Sequence, residues 1–159
     1  MGFLDLFRSN ANSWNKNGIK LANRGNQEAA LDCFDRALMI KPKSADIWYN
    51  KAVTLWTLGR HYEAIKGYDR VLDLNPRHEK SWFDLGVILS GLNKYQNALD
   101  CFTRTLELEP ENAEAWLIKG FLLKRLGRSE EAMECLDMAL KLDPQLQSLE
   151  KAQEIVELG

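Results

Sequence analysis

The side chains best suited to metal or thiol chemistry in this chain are Cys33, Cys101 and Cys135, together with His61 and His78. A shared ion would need its ligands to converge at bonds of about 2.3 Å. The cysteine spacing argues against such convergence. Cys101 and Cys135 stand 34 residues apart, Cys33 lies twice that interval before Cys101, and Gly67 holds the place between them. Each cysteine thus occupies the same position of a recurring unit. Positions one unit apart lie too far from one another to share an ion, and such cysteines read as small packing residues. Neither histidine has a nucleophile or carboxylate converging on it by sequence, and both are expected to face solvent. No glycine-rich phosphate loop and no HExxH-type pair occurs. No catalytic residue, metal site or cofactor is expected, and the chain reads as a non-enzyme.

Bulk properties narrow the remaining classes. Apolar residues make up 45% and charged residues 28%, which fits a folded soluble domain and not a disordered or membrane chain. The net charge of -2 offers no excess for neutralising phosphates, so nucleic acid is not an expected partner. No apolar run reaches the roughly 18 residues of a membrane span. The start, Met1-Gly2-Phe3-Leu4-Asp5-Leu6-Phe7-Arg8, lacks the basic region and apolar stretch of a signal peptide. Leu6 also stands where a myristoylation motif wants Ser or Thr. Three cysteines without close pairing suit a reducing, cytoplasmic setting.

The elements that position all these residues are announced by repetition. Pro42, Pro76, Pro110 and Pro144 recur every 34 residues, as do Trp14, Trp48, Trp82 and Trp116. Ala30, Ala64, Ala98 and Ala132 share the step, and so do Phe34, Tyr68, Phe102 and Leu136. A small-residue series, Gly18, Ala52, Gly86 and Gly120, keeps it too. Within each period the apolar spacing of three and four predicts two helices of about a dozen residues. They are separated by Gly25, Gly59, Asn93 or Gly127, which tolerate the left-handed conformation of a helix end. The prolines stop the second helices, and Ser44, Asn112 and Ser129 are candidate N-caps.

A 34-residue helix-turn-helix carrying Trp, a small residue, Ala, an aromatic and Pro in this order resembles the tetratricopeptide repeat. The resemblance covers residues 11–146 as four repeats: 11–44, 45–78, 79–112 and 113–146. One departure is the Leu frequent three residues after the Trp, kept at Leu85 but replaced by Asn17, Lys51 and Lys119. The resemblance implies an all-α fold of the alpha-alpha superhelix class, a right-handed solenoid of antiparallel helix pairs. It also implies a concave groove, lined by the first helices, that binds peptides.

Function must lie in what the repeats do not share. At roughly 100° per residue, each first helix divides into three stripes. One holds shared packing residues such as Trp48, Ala52 and Leu55. A second is polar in repeat one (Ser13, Lys20, Arg24) but mainly apolar later (Ile47, Thr54, Leu58; Ser81, Ile88, Leu92; Ala115, Leu122, Leu126), as expected for a flank packed on a preceding repeat. The third is left to face the groove. There Ile19, Val53, Val87 and Phe121 form one row and Tyr49, Phe83 and Leu117 another, with Trp56, the one tryptophan outside the 34-residue register, on the same face. Tyr49, Val53, Trp56, Phe83, Val87 and Phe121 are the candidate apolar cradle for a partner. Asn15, Asn50, Lys80 and Lys124 would hold the ligand backbone or its charges. The alternative is that these side chains pack on one another.

Chaperone-binding members of the family hold a carboxylate terminus with two Lys, two Asn and one Arg. Only Asn50 and Lys80 match that clamp. Asn15 replaces a Lys, Ile19 an Asn and Asp84 the Arg, and the alignment one repeat later fails at Tyr49, Val53, Asp84, Glu114 and Ile118. The implied ligand is a protein or peptide held without that clamp.

The ends add two expectations. Residues 147–159 read as a capping helix with Leu149, Ala152, Ile155 and Val156 on one face. In residues 1–10, Phe3, Leu4, Leu6 and Phe7 form an apolar cluster that could cover the first repeat, touch a membrane surface or dock into another copy. A second overall reading therefore stands beside the adaptor: a structural module that self-associates through its groove or its N-terminal segment.

Overall fold

The computed structural model describes residues 10–147. Eight helices occupy this span: α1 Ala11–Ala22, α2 Gln27–Ile40, α3 Ala45–Thr57, α4 His61–Leu74, α5 Glu79–Gly91, α6 Tyr95–Leu108, α7 Ala113–Arg125 and α8 Ser129–Leu142. A 3-10 turn, Pro144–Gln147, follows. The apolar N-terminal cluster lies outside the described residues, as does the expected capping helix beyond residue 147.

Each helix pair is joined by one residue in the left-handed region: Gly25 (φ 80°), Gly59 (72°), Asn93 (58°) and Gly127 (79°). The next amide then turns back to the carbonyl five residues earlier, closing a Schellman-type C-cap. These bonds run from Asn26 to Leu21 (3.0 Å), Arg60 to Leu55, Lys94 to Leu89 and Arg128 to Leu123 (each 2.9 Å). The second helices end differently. Lys41, Asn75, Glu109 and Asp143 leave the helical region just before each proline, because the proline ring disfavours a helical residue ahead of it.

The N-termini depart in part from expectation. Asn112 accepts from the Ala115 amide at 2.9 Å, while Asn10 and Asn26 cap α1 and α2 in the same way. Ser44 stands at the N-cap of α3 without a side-chain hydrogen bond, and Ser129 is already the first helical residue, with Arg128 at the cap. His78 caps α5, its Nδ1 accepting from the Ser81 amide at 3.3 Å. It is therefore half-buried and engaged, not simply solvent-facing.

The chain divides between Pro76 and Arg77 into two compact units, the first holding α1–α4 and the second α5–α8. Within the first, α1 packs on α2, α2 on α3 and α3 on α4; the second repeats the scheme with α5–α8. The first core joins Ala11, Phe34, Ala37 and Leu38 to Ile47 of the next repeat, with Trp14 and Trp48 against it. In the second, Leu126 and Trp116 cover Leu99, Leu123 and Cys135. Tyr68, Phe34 and Phe102 are fully buried, each burial being worth about 1.5–3 kcal/mol.

Two of the repeat tryptophans are bonded to the proline loop ahead of them. Trp48 Nε1 donates to the Pro42 carbonyl at 2.9 Å, and Trp116 Nε1 to that of Pro110 at 2.8 Å. In these two repeats the indole ties a first helix to the loop that precedes it. The cysteines are all buried and free. Cys33 Sγ accepts from Asn17 Nδ2 at 3.3 Å, and burial pushes the Cys135 thiol above its ordinary value, keeping it protonated.

Candidate functional site

In the first unit the third-stripe residues come from α1 and α3. Asn50 Nδ2 donates to Asn15 Oδ1 at 3.0 Å, so the two amides that would hold a ligand backbone bind each other. That bond uses one donor of Asn50 and one lone pair of Asn15, leaving both amides further hydrogen-bonding capacity. Ile19 is 38% exposed. Val53 and Trp56 are half-buried one turn apart on α3. Tyr49 is half-buried too, its ring edge-on to Tyr68 of α4 with centroids 6.0 Å apart.

In the second unit the residues come from α5 and α7. Lys80 and Lys124 are exposed; Val87 and Phe121 are half-buried. Phe83 meets Phe102 of α6 edge-on at 5.5 Å and 87°. Leu117, expected on the binding face, is a core residue. It is 3% exposed and clusters with Ala139 of α8, with Leu136 and Leu146 packed around it. Its row faces the second helix of its own repeat, as Tyr49 and Phe83 also reveal. Leu117 is covered by Ala139, Leu136 and Leu146, whereas Tyr49 and Phe83 stay half-buried beside Tyr68 and Phe102.

A small cleft lies in the same unit, beside Phe121. Ser90, Gly91, Asn93, Tyr95, Phe121, Leu122 and Arg125 line a volume of about 160 Å³. Arg125 sits over the Tyr95 ring, 5.5 Å from its centroid, and donates to Tyr95 Oη at 3.2 Å. Tyr95 Oη in turn donates to Asn93 Oδ1. Ser90 and Arg125 share the third stripe, so a helical wheel could have raised them. Asn93 and Tyr95 reach the cleft through the left-handed turn at Asn93, which no wheel contains. At the opposite end of α7, desolvation raises the Glu114 carboxyl above its ordinary value. Among the described residues, no three His, Cys, Asp or Glu side chains gather as a metal site would require. No described helix is long and apolar enough to cross a membrane.

The repeat geometry has close counterparts. Profiles of the tetratricopeptide repeat match residues 20–59, 43–111 and 83–146, and the chain belongs to the tetratricopeptide repeat family. A crystal structure of MamA superposes with a TM-score of 0.81 at 18% identity, covering 86% of this chain and 80% of that one. MamA residues 41 to the end from Desulfovibrio magneticus RS-1 give 0.79 at 21%, covering 91% and 90%. YrrB, described as a TPR protein with an unusual peptide-binding site, gives 0.76 at 24%, covering 91% and 73%. At these identities the likeness establishes the fold, an alpha-alpha superhelix. No curated protein sequence matches the chain. Family and fold together make it a protein–protein interaction scaffold.

Proposed function

We propose that this scaffold is a non-catalytic adaptor that holds a partner peptide on its first-helix faces through apolar and aromatic contacts, without a carboxylate-terminus clamp. One observation carries the reading. On α3 the shared residues Ala52 and Leu55 are 0% and 3% exposed, yet Val53 and Trp56 on the other stripe stay half-open. On α1, Ile19 is similarly open at 38%. Trp56 is the one tryptophan outside the 34-residue register, and its place on the open stripe makes it a natural anchor for a partner. The peptide-binding site ascribed to YrrB and the family's use of such faces support the same reading. We further propose a cytoplasmic setting, supported by three buried thiols without a disulfide.

Trp56→Ala combined with Ile19→Ala tests this. Both leave the buried register intact, whereas Phe83 braces Phe102 and would confound binding with folding. Peptides selected on the wild-type chain should bind the variant at least about tenfold more weakly, with helicity by circular dichroism unchanged. Undiminished affinity would overturn the proposal.

A further inference from the structure

The cleft at the ends of α5 and α7 has features that the rest of the apolar face lacks. Its volume of about 160 Å³ is below the roughly 300 Å³ of the smallest drug-sized pockets. It compares with about five waters at their liquid volume of about 30 Å³ each. That is the scale of one amino-acid side chain. One wall, Phe121 and Leu122, is apolar, and Gly91 contributes no side chain at all.

The polar wall is cationic. Arg125 is the one charged residue lining the cleft. Among the described residues its recorded contacts are the Tyr95 ring and hydroxyl, and no carboxylate pairs with it. A guanidinium has five N–H donors, so several remain for a ligand, while the tyrosine fixes its plane.

Ser90 supplies the second polar group. Its Oγ is buried and has no hydrogen-bond partner among the described residues. The helical threonines behave otherwise. Thr54, Thr57, Thr103 and Thr105 each donate to the carbonyl four residues back, the usual refuge of a helical hydroxyl. Ser90 forgoes that bond and borders the cleft. A buried hydroxyl without a partner is unfavourable, and an acceptor delivered by a ligand removes the cost.

We propose that this cleft takes an acidic side chain of the bound peptide, glutamate above all. Its methylenes lie on Phe121 and Leu122, and its carboxylate accepts from Arg125 and Ser90. The assignment rests on the adaptor reading and specifies one residue of the ligand. It differs from a carboxylate-terminus clamp, because the acid is internal to the peptide and the cation belongs to α7.

A displayed library of random peptides, joined to the phage coat through their C-terminal ends, tests it on the full chain. Peptides selected on the wild type should be enriched in Glu beside an apolar residue. One such peptide, synthesised and C-terminally amidated, should bind at least about tenfold more weakly after its Glu→Gln change or after Arg125→Ala. The two changes together should cost little more than either alone, the mark of a direct contact. Ser90→Ala should give a smaller loss. Equal binding of the Glu and Gln peptides, additive losses, or a requirement for a free C-terminal carboxylate would overturn the cleft assignment. Peptides that lose affinity on Trp56→Ala but ignore Arg125→Ala would overturn it while leaving the adaptor reading intact. Selection of no peptide would overturn both.

Discussion

The helix pairs α3–α4 and α5–α6 cross at equivalent points with the small residue on opposite sides. In the first, Ala52 faces Gly67, and a Cβ on Gly67 would lie 2.9 Å from the Ala52 methyl. In the second, Gly86 faces Cys101, and a Cβ on Gly86 would lie 3.2 Å from the Cys101 Cβ and 2.9 Å from the Phe102 ring. The sequence pairs Gly18 with Cys33 and Gly120 with Cys135 in the same register. Each close crossing has one glycine at this pair of positions and one residue with a side chain. Repeat two reverses the order, which is why its place in the cysteine series is a glycine. At Gly86 the cysteine shares the space beside its glycine with Phe102, while Gly18 and Gly120 are met by Phe34 and Leu136; the cysteines read as packing volume and not as chemistry.

The largest expected effect comes from breaking that compensation. Gly67→Cys alone should destabilise the chain by about 1–3 kcal/mol through overpacking against Ala52, read as a lower urea midpoint. Adding Ala52→Gly rebuilds the Gly–Cys pair found elsewhere and should restore much of the loss. Strictly additive effects of the two changes would break the comparison.

A smaller effect distinguishes the tryptophans. Trp48→Phe removes the bond to the Pro42 carbonyl and should cost about 0.5–1.5 kcal/mol. Trp14 Nε1 is buried without an acceptor among the described residues, so Trp14→Phe should cost less by thermal unfolding. An equal cost for both would show that the indole acts through packing alone.

The smallest effect concerns acid. Arg60 hydrogen-bonds Glu63 in one unit and Arg128 hydrogen-bonds Glu131 in the other, and these bonds hold both carboxyls below their ordinary value of 4.5. A depressed carboxyl contributes stability that is present above the ordinary value and lost as pH falls through the folded value. Glu114 runs the other way, since burial raises it. Its charged form costs stability at neutral pH, and the cost vanishes once the carboxyl is protonated. Glu63→Gln with Glu131→Gln should therefore slightly lower the melting temperature at neutral pH and flatten its fall in acid. Glu114→Gln should raise it at neutral pH and have no effect at the acid end. Identical pH profiles for these variants would contradict the opposite signs.

The repeat, the eight described helices and the four left-handed turns were legible in the sequence because each depends on local spacing or on a single residue's backbone freedom. The caps were only partly legible. Ser44 has the right type and place but makes no bond, while His78 caps α5 with a ring nitrogen. Ion pairs are set by the same freedom: Asp100 and Arg104 stand four residues apart, yet Arg104 pairs with Glu107 at 2.7 Å and Asp100 accepts from Gln96. Long side chains choose among neighbours three and four residues away at nearly equal cost.

By itself, then, the sequence determined the period, the helix-turn-helix unit and the stripe on which each first-helix residue lies, since a helix converts position into angle. Tertiary structure alone decided how deep each side chain sits. Leu117 and Phe83 share a stripe, but the first is covered by Ala139, Leu136 and Leu146 while the second stays half-buried beside Phe102. Depth depends on which neighbours cover a side chain, and those neighbours lie on other elements. The cleft at Ser90 and Arg125 has the same origin: two helix ends and a left-handed turn meet there, and an angle on a single helix does not encode that meeting.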